Sequence, residues 1–171
     1  MLVVNGHLRA PRQRTGEASM AATGQQGTQH DEWDAAEGAT GQRVRVLVYS
    51  DHVEVREAVS LSLGRRVAKD LPEIELVPVA TAAAVVSAVE AGGVDLLVLD
   101  GETGKVGGLG LCRQLKDEIY RCPPVVVLVG RPQDAWLAAW SHAEGVISRP
   151  IDPVVVQDTV ARVLRGALVD G

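Results

Sequence analysis

The chain of 171 residues predicts an α/β fold: a doubly wound, five-stranded parallel sheet of the flavodoxin-like type, covered by helices on both faces. Three observations carry that prediction. Five short strand-like runs recur along the chain, and the one at residues 94–99 is almost wholly apolar and bounded by turn residues, as a strand buried on both faces is. They alternate with five helical patterns across short connections, which is how βαβ units read in a sequence. Right-handed crossovers then make a doubly wound order the simplest closure.

The elements follow in order. Residues 44–49, Val-Arg-Val-Leu-Val-Tyr, form the first strand. From residue 53 to about residue 69 the spacing predicts an amphipathic helix with Val55, Val59 and Leu63 on one face. Residues 74–79 alternate and carry Pro78, which lacks the amide a central strand needs and so marks an edge strand. Thr81 caps an Ala/Val helix that runs to Glu90 and stops at Gly92-Gly93. The third strand runs through Val94-Asp95-Leu96-Leu97-Val98-Leu99 and ends on Asp100. A helix follows over about residues 108–119. Pro124 introduces the fourth strand, 125–129, and a helix spans about 133–142 before a short strand at 146–148. Asp152-Pro153, an N-cap followed by proline at the first helical position, opens a last helix that runs to about residue 165.

Residues 1–42 are different in kind. Gly6, Gly16, Gly24, Gly27, Gly38 and Gly41 interrupt them, with Gln, Thr and Ala between and no hydrophobic period. Such a segment buries too little apolar area to offset its ordering entropy, so it reads as a disordered tail. Asp31-Glu32-Trp33-Asp34 within it is either a short docking motif or plain solvated chain, and Met20 is an alternative start. Residues 43–166 then form one domain, with a short C-terminal tail at 167–171.

Bulk composition narrows the function. A formal charge of −5 offers no basic stripe for nucleic acid. No apolar run approaches the ~18 residues that would span a membrane. Two cysteines, Cys112 and Cys122, make neither a CxxC pair nor a disulfide framework, which suits a reduced, cytoplasmic protein. Phe is absent, so the core is built from small aliphatic side chains. Cys112 reads as a small apolar residue of its helix, and Cys122 as a loop residue.

Asp100 carries the functional argument. It stands at the carboxyl end of a buried strand, where open α/β sheets place their chemistry, although an Asp there also serves as a turn or cap residue. In this topology the ends of the first, third, fourth and fifth strands converge, bringing together Ser50 and Asp51, Asp100, Val129 and Gly130, and Arg149 before Pro150. Two carboxylates from separate strands facing one cation make a site rather than a capping pattern. A neighbouring Arg or a divalent ion relieves their repulsion, and hard cations such as Mg²⁺ take such sites with water and phosphate.

The segments Val46-Leu47-Val48-Tyr49-Ser50-Asp51-His52, residues 95–100, Gly107-Gly108-Leu109 and Ile147-Ser148-Arg149-Pro150-Ile151-Asp152-Pro153 resemble the receiver domain of bacterial response regulators, the CheY-like fold. The resemblance covers about residues 43–166, and Gly108 stands eight residues after Asp100, as the family's glycine does. It implies phosphorelay signalling rather than enzymatic turnover. Asp100 takes the phosphoacceptor position, Asp51 that of a Mg²⁺-binding acid, and Glu102 that of the metal-binding backbone carbonyl.

Other positions depart from the family pattern. Ser50 replaces the first acid, Val129 the phosphoryl-binding Thr or Ser, Arg149 the Lys, Val146 the aromatic switch residue, and Thr103-Gly104 the usual Met-Pro. Mg²⁺ affinity is therefore expected to fall at Ser50. Val129 has no hydrogen to donate to a phosphoryl group, and without an aromatic at Val146 the two-state coupling has no evident lever. Arg149 keeps the charge, and its planar fork is able to pair Asp100 permanently. Glu102 either swings in as a replacement acid or faces solvent.

Trp136 and Trp140, at i and i+4, share a helix face. One is expected buried and one partly exposed, on a surface suited to partners or dimerisation. Gly104, Gly107, Gly108 and Gly110 match neither phosphate-loop spacing and read as a flexible loop; His52 reads as a helix-start residue. The expectation is an atypical, stand-alone receiver with no output domain. It contacts a histidine kinase or a downstream target, or itself through the fourth and fifth helices. The rivals are a flavodoxin-like ligand- or nucleotide-binding protein or enzyme, and a phosphorylation-independent adaptor.

Overall fold

A computed structural model describes residues 43–169. The readings of residues 1–42, the docking motif and Met20 included, lie outside the described residues. Five parallel strands make one sheet: β1 (Arg43–Tyr49), β2 (Glu73–Val79), β3 (Leu96–Asp100), β4 (Val125–Val129) and β5 (Gly145–Ser148). Their order is β2-β1-β3-β4-β5, the doubly wound arrangement expected from the alternating pattern. Five helices connect and cover them: α1 (Val53–Leu63), α2 (Ala82–Ala91), α3 (Gly108–Glu118), α4 (Trp136–Ser141) and α5 (Pro153–Val169).

The alternation of side chains along each strand divides the core in two. Val46, Val48, Leu96, Val98, Val126 and Leu128 pack under α1 and α5, against Val59, Leu63, Val156 and Val160. Leu47, Leu97, Leu99, Val125 and Val127 pack on the other face under α2, α3 and α4, against Val85, Leu111, Leu115 and Ala138. All five residues of β3 and of β4 are buried, which is why those runs are apolar without alternation. Pro78 does lie in an edge strand, β2.

Several boundaries follow the local chemistry. Thr81 Oγ1 accepts the Ala84 amide, 3.2 Å away, and Asp152 Oδ1 accepts the Val154 amide at 2.8 Å, so both predicted caps form. The first helix ends at Leu63, short of the expected residue 69. Gly64 takes φ 58° there, a left-handed setting open to glycine, and the chain turns before Leu71 re-enters the core. The helix expected over 133–142 splits into a 3₁₀ turn at Pro132–Ala135 and a six-residue α4. His142 closes it in the left-handed region, with φ 61°. The last helix continues past residue 165 to Val169.

Gly108 answers to a close approach. A Cβ there would lie 2.5 Å from the carbonyl oxygen of Asp100 and 2.9 Å from the carbonyl carbon of Leu99. The start of α3 therefore rests directly on the end of β3, a contact that only glycine permits.

Candidate functional site

The carboxyl ends of β1, β3, β4 and β5 meet as the topology requires. The centre is Asp100, the last residue of β3 and fully buried. Four donor contacts reach its two oxygens. Ser50, just beyond β1 and equally buried, donates its hydroxyl to Oδ2 at 2.7 Å. Arg149, just beyond β5, sets Nη2 2.9 Å from both Oδ1 and Oδ2. The backbone amide of Glu102 donates to Oδ1 at 3.1 Å. A carboxylate offers about four lone-pair sites, so these contacts use its accepting capacity.

The Arg149–Asp100 pair differs in detail from the planar fork expected. One nitrogen bridges both oxygens, while the Nε of the same guanidinium is buried without a hydrogen-bond partner. The Arg149 amide donates to the carbonyl of Val129 at 3.0 Å, and the Arg149–Pro150 peptide is cis.

Asp51 sits beside this centre but is engaged elsewhere. Its Oδ2 accepts the amide of Gly104 at 3.0 Å, and its Oδ1 lies 3.5 Å from His52 Nε2. His52 itself is the N-cap residue of α1, the helix-start role expected of it. Glu102 faces solvent, with its carboxylate packed over Gly130: a Cβ on that glycine would fall 2.9 to 3.0 Å from the carboxylate atoms. Val129 is buried and presents no polar side-chain atom, and Val146 is half-buried against the α2, α3 and α4 core.

Trp136 and Trp140 are 65% and 52% exposed, so the expectation that one is buried is corrected. The short α4 turns Ala138 and Ser141 inward and both indoles outward. Cys112 is buried as expected, with Sγ donating to the Ser141 carbonyl at 3.2 Å. Burial pushes its thiol up to about 11.

Three contributors went unread in the sequence. Tyr49 is buried and donates its hydroxyl to the Val106 carbonyl at 2.8 Å. Thr103 is also buried, with Oγ1 donating to the same carbonyl at 2.5 Å. Arg56 of α1 reaches back to the Ser50 carbonyl at 2.6 Å. A lone Tyr in a strand of aliphatic residues, with its hydroxyl at the sheet edge, is the one signal that pointed to the first.

The donor set tests poorly against a divalent cation. Asp100 is enclosed by hydrogen-bond donors, one of them a guanidinium. Ser50 supplies a neutral hydroxyl whose hydrogen points at Asp100 Oδ2, and Asp51 spends an oxygen on a backbone amide. Among the described residues no group of three or more His, Cys, Asp or Glu side chains is arranged to hold a metal ion. As they stand, these residues do not fit Mg²⁺.

No family model matches the chain. It is 50% identical over 122 residues to an uncharacterized response regulatory protein of Mycobacterium tuberculosis, found in two strains; the match covers 71% of this chain and 92% of the relative. Among solved structures, a CheY-like response regulator receiver domain protein from Methanospirillum hungatei superposes with a TM-score of 0.60. The identity is 15%, over 76% of this chain and all of that one. A receiver domain protein from Clostridium thermocellum gives 0.61 at 16% identity, over 75% and 99% of the two chains. A BeF3-activated DrrB receiver domain gives 0.56 at 17%, over 72% and 99%.

The chain belongs to the response regulator family, and its described part is a receiver domain of phosphorelay signal transduction. The family is not classically enzymatic, generally binds Mg²⁺ at its phosphorylation site, and works through proteins such as kinases and effector domains. Membership decides for the receiver over the flavodoxin-like rival. No helix among the described residues is long and apolar enough to cross a membrane.

Proposed function

We propose that this chain is an atypical receiver in which residues 43–166 form the signalling unit, Asp100 is a weak or unused phosphoacceptor, and output passes through protein contacts. The observation that carries the reading is the burial of Asp100 under four donor contacts from Ser50, Arg149 and Glu102. A phosphodonor needs one carboxylate oxygen free and reachable. Here each oxygen accepts two contacts, and hydrogen bonds to a charged group are the strong ones. Without Mg²⁺ an incoming phosphoryl group would meet Arg149, and that guanidinium is already paired with Asp100. Val129 leaves the group without the hydroxyl contact that would draw the β4–α4 loop inward.

The surface offered to partners is the one carrying Trp136 and Trp140, exposed together on α4. Exposed indoles on one helix face are strong interface anchors. They suit a histidine kinase, a downstream target or a second copy of the chain. The site and this surface suit a cytoplasmic signalling protein that works through protein partners.

Incubation of the full chain with acetyl phosphate and Mg²⁺ tests the phosphoacceptor. Trace labelling or none is expected. Strong, Mg²⁺-dependent labelling that disappears in Asp100→Ala overturns the reading and restores a conventional phosphorylated switch. The ready-made Asp100–Arg149 pair also favours a second reading, a phosphorylation-independent adaptor, for which partner capture is indifferent to Asp100→Asn.

A further inference from the structure

We infer that Asp51 is a positioning residue: it latches the loop that follows Asp100, and its carboxylate does this in place of binding a metal. Residues 101–107 lie between β3 and α3 without regular structure, so contacts from outside must hold them. Two come from the end of β1. Asp51 Oδ2 accepts the Gly104 amide across 53 positions of sequence at 3.0 Å. Two residues earlier, the Tyr49 hydroxyl donates to the Val106 carbonyl at 2.8 Å. Thr103 closes the loop on itself through the same carbonyl. The latched loop includes Glu102, whose amide is one of the donors on Asp100. Asp51 thus acts on the phosphoacceptor through the loop, by fixing where that amide points.

The two roles make opposite demands on the side chain. A metal ligand needs the negative charge, because a hard cation takes carboxylate oxygens. A latch needs only an acceptor oxygen at that place, which an amide also provides. Asn at position 51 therefore separates them. The inference rests on family membership and on the same site, but its readout is independent of labelling: a chain that labels strongly still reports whether the loop is latched.

Amide hydrogen exchange followed by NMR on the full chain, with and without Mg²⁺, reads the latch directly. In the wild type the Gly104 and Glu102 amides are expected to be protected, and Mg²⁺ to leave them unchanged. Asp51→Ala is expected to speed their exchange about fivefold or more, the factor that loss of one good hydrogen bond implies. Asp51→Asn is expected to stay within about twofold of wild type, since its acceptor remains. Should Asp51→Ala fail to fold, protection of the Gly104 amide in the wild type and in Asp51→Asn, each with and without Mg²⁺, still decides the question. Three results overturn the inference: Asn behaving like Ala, an unprotected Gly104 amide in the wild type, or Mg²⁺ releasing that amide in the wild type and not in Asp51→Asn.

Discussion

Replacing Ser50 by Ala removes one hydrogen bond and almost no volume, so its cost measures how tightly Asp100 is held. The bond is short, 2.7 Å, and both residues are 0% exposed. Water therefore has no ready way to replace the lost donor. A hydrogen bond to a charged group contributes about 1.5 to 3 kcal/mol. The Ser50 oxygen also accepts the His52 amide at 3.1 Å, but His52 is exposed at a helix start and water substitutes there. The expected loss is about 2 kcal/mol, or roughly 30-fold in the folded-to-unfolded ratio. Urea unfolding followed by circular dichroism should show the midpoint falling by about 1 M with an unchanged slope. A loss below about 0.5 kcal/mol would refute the reasoning, because a surface substitution costs no more. The companion variant Ser50→Asp restores the acid of the family pattern. Two carboxylates then face each other, so this variant should be less stable than wild type without metal. Mg²⁺ should stabilise it by linkage and leave the wild type unmoved.

Two glycines of α3 should respond with opposite sign. Gly108→Ala drives a Cβ to 2.5 Å from the Asp100 carbonyl oxygen, which is backbone and unable to swing aside, for a loss of about 3 kcal/mol. Gly110→Ala meets nothing within 4 Å and should gain about 0.5 to 1 kcal/mol from helix propensity; denaturant midpoints check both. Trp136→Ala and Trp140→Ala should each leave stability within about 0.5 kcal/mol while abolishing self-association or partner capture. Sedimentation velocity and pull-down from lysate read this, and full retention of both activities counts against the α4 face. Asp70 is held down to about 2 by its hydrogen bonds to Arg165 and by its own amide. A folded-state value below the unfolded one means that its stabilising contribution is present above about pH 4 and is lost as pH falls toward 2. A carboxyl NMR titration should find that midpoint, and Arg165→Ala should return it toward 3.8; an unmoved midpoint rejects the pairing.

Much of the fold was legible because its signals are local. Strands buried on both faces read as unbroken apolar runs, Pro78 declared an edge, and Thr81 and Asp152 are caps by their own chemistry. Gly108 was readable at its spacing from Asp100, though the reason, its closeness to the Asp100 carbonyl, belongs to three dimensions. Boundaries failed where two local signals competed. Residues 65–69 continue a helical composition, and Gly64 overrides it with a left-handed turn. Pro132 fits the first turn of a helix, yet the segment tightens to 3₁₀ before α4 begins. The tryptophans were misjudged on composition: a chain without Phe is expected to use an indole in its core, but the space under α4 suits only Ala138 and Ser141. Within the site, the meeting of Ser50, Arg149 and Asp100 at the strand ends follows from the topology that the sequence implied. The engagement of Asp51 by Gly104 and of Tyr49 by Val106 was not legible, because irregular loops carry no periodicity that reports their path.

The sheet order has a consequence for how the chain is made. Ser50, Asp100 and Arg149 stand 50 and 49 residues apart, so each contact closes a long loop whose entropic cost must be met before the contact forms. During synthesis β1 emerges first but lies inside the sheet, and it waits for β2 and then β3 to flank it. Asp100 and Ser50 meet once β3 docks. Their guanidinium arrives only with the segment after β5, when nearly the whole domain has left the ribosome. Until then the nascent chain holds a carboxylate in an apolar setting with its counter-charge still unmade. A chain ending before residue 145 would be left permanently in that condition, and should persist as a chaperone client while the complete chain does not.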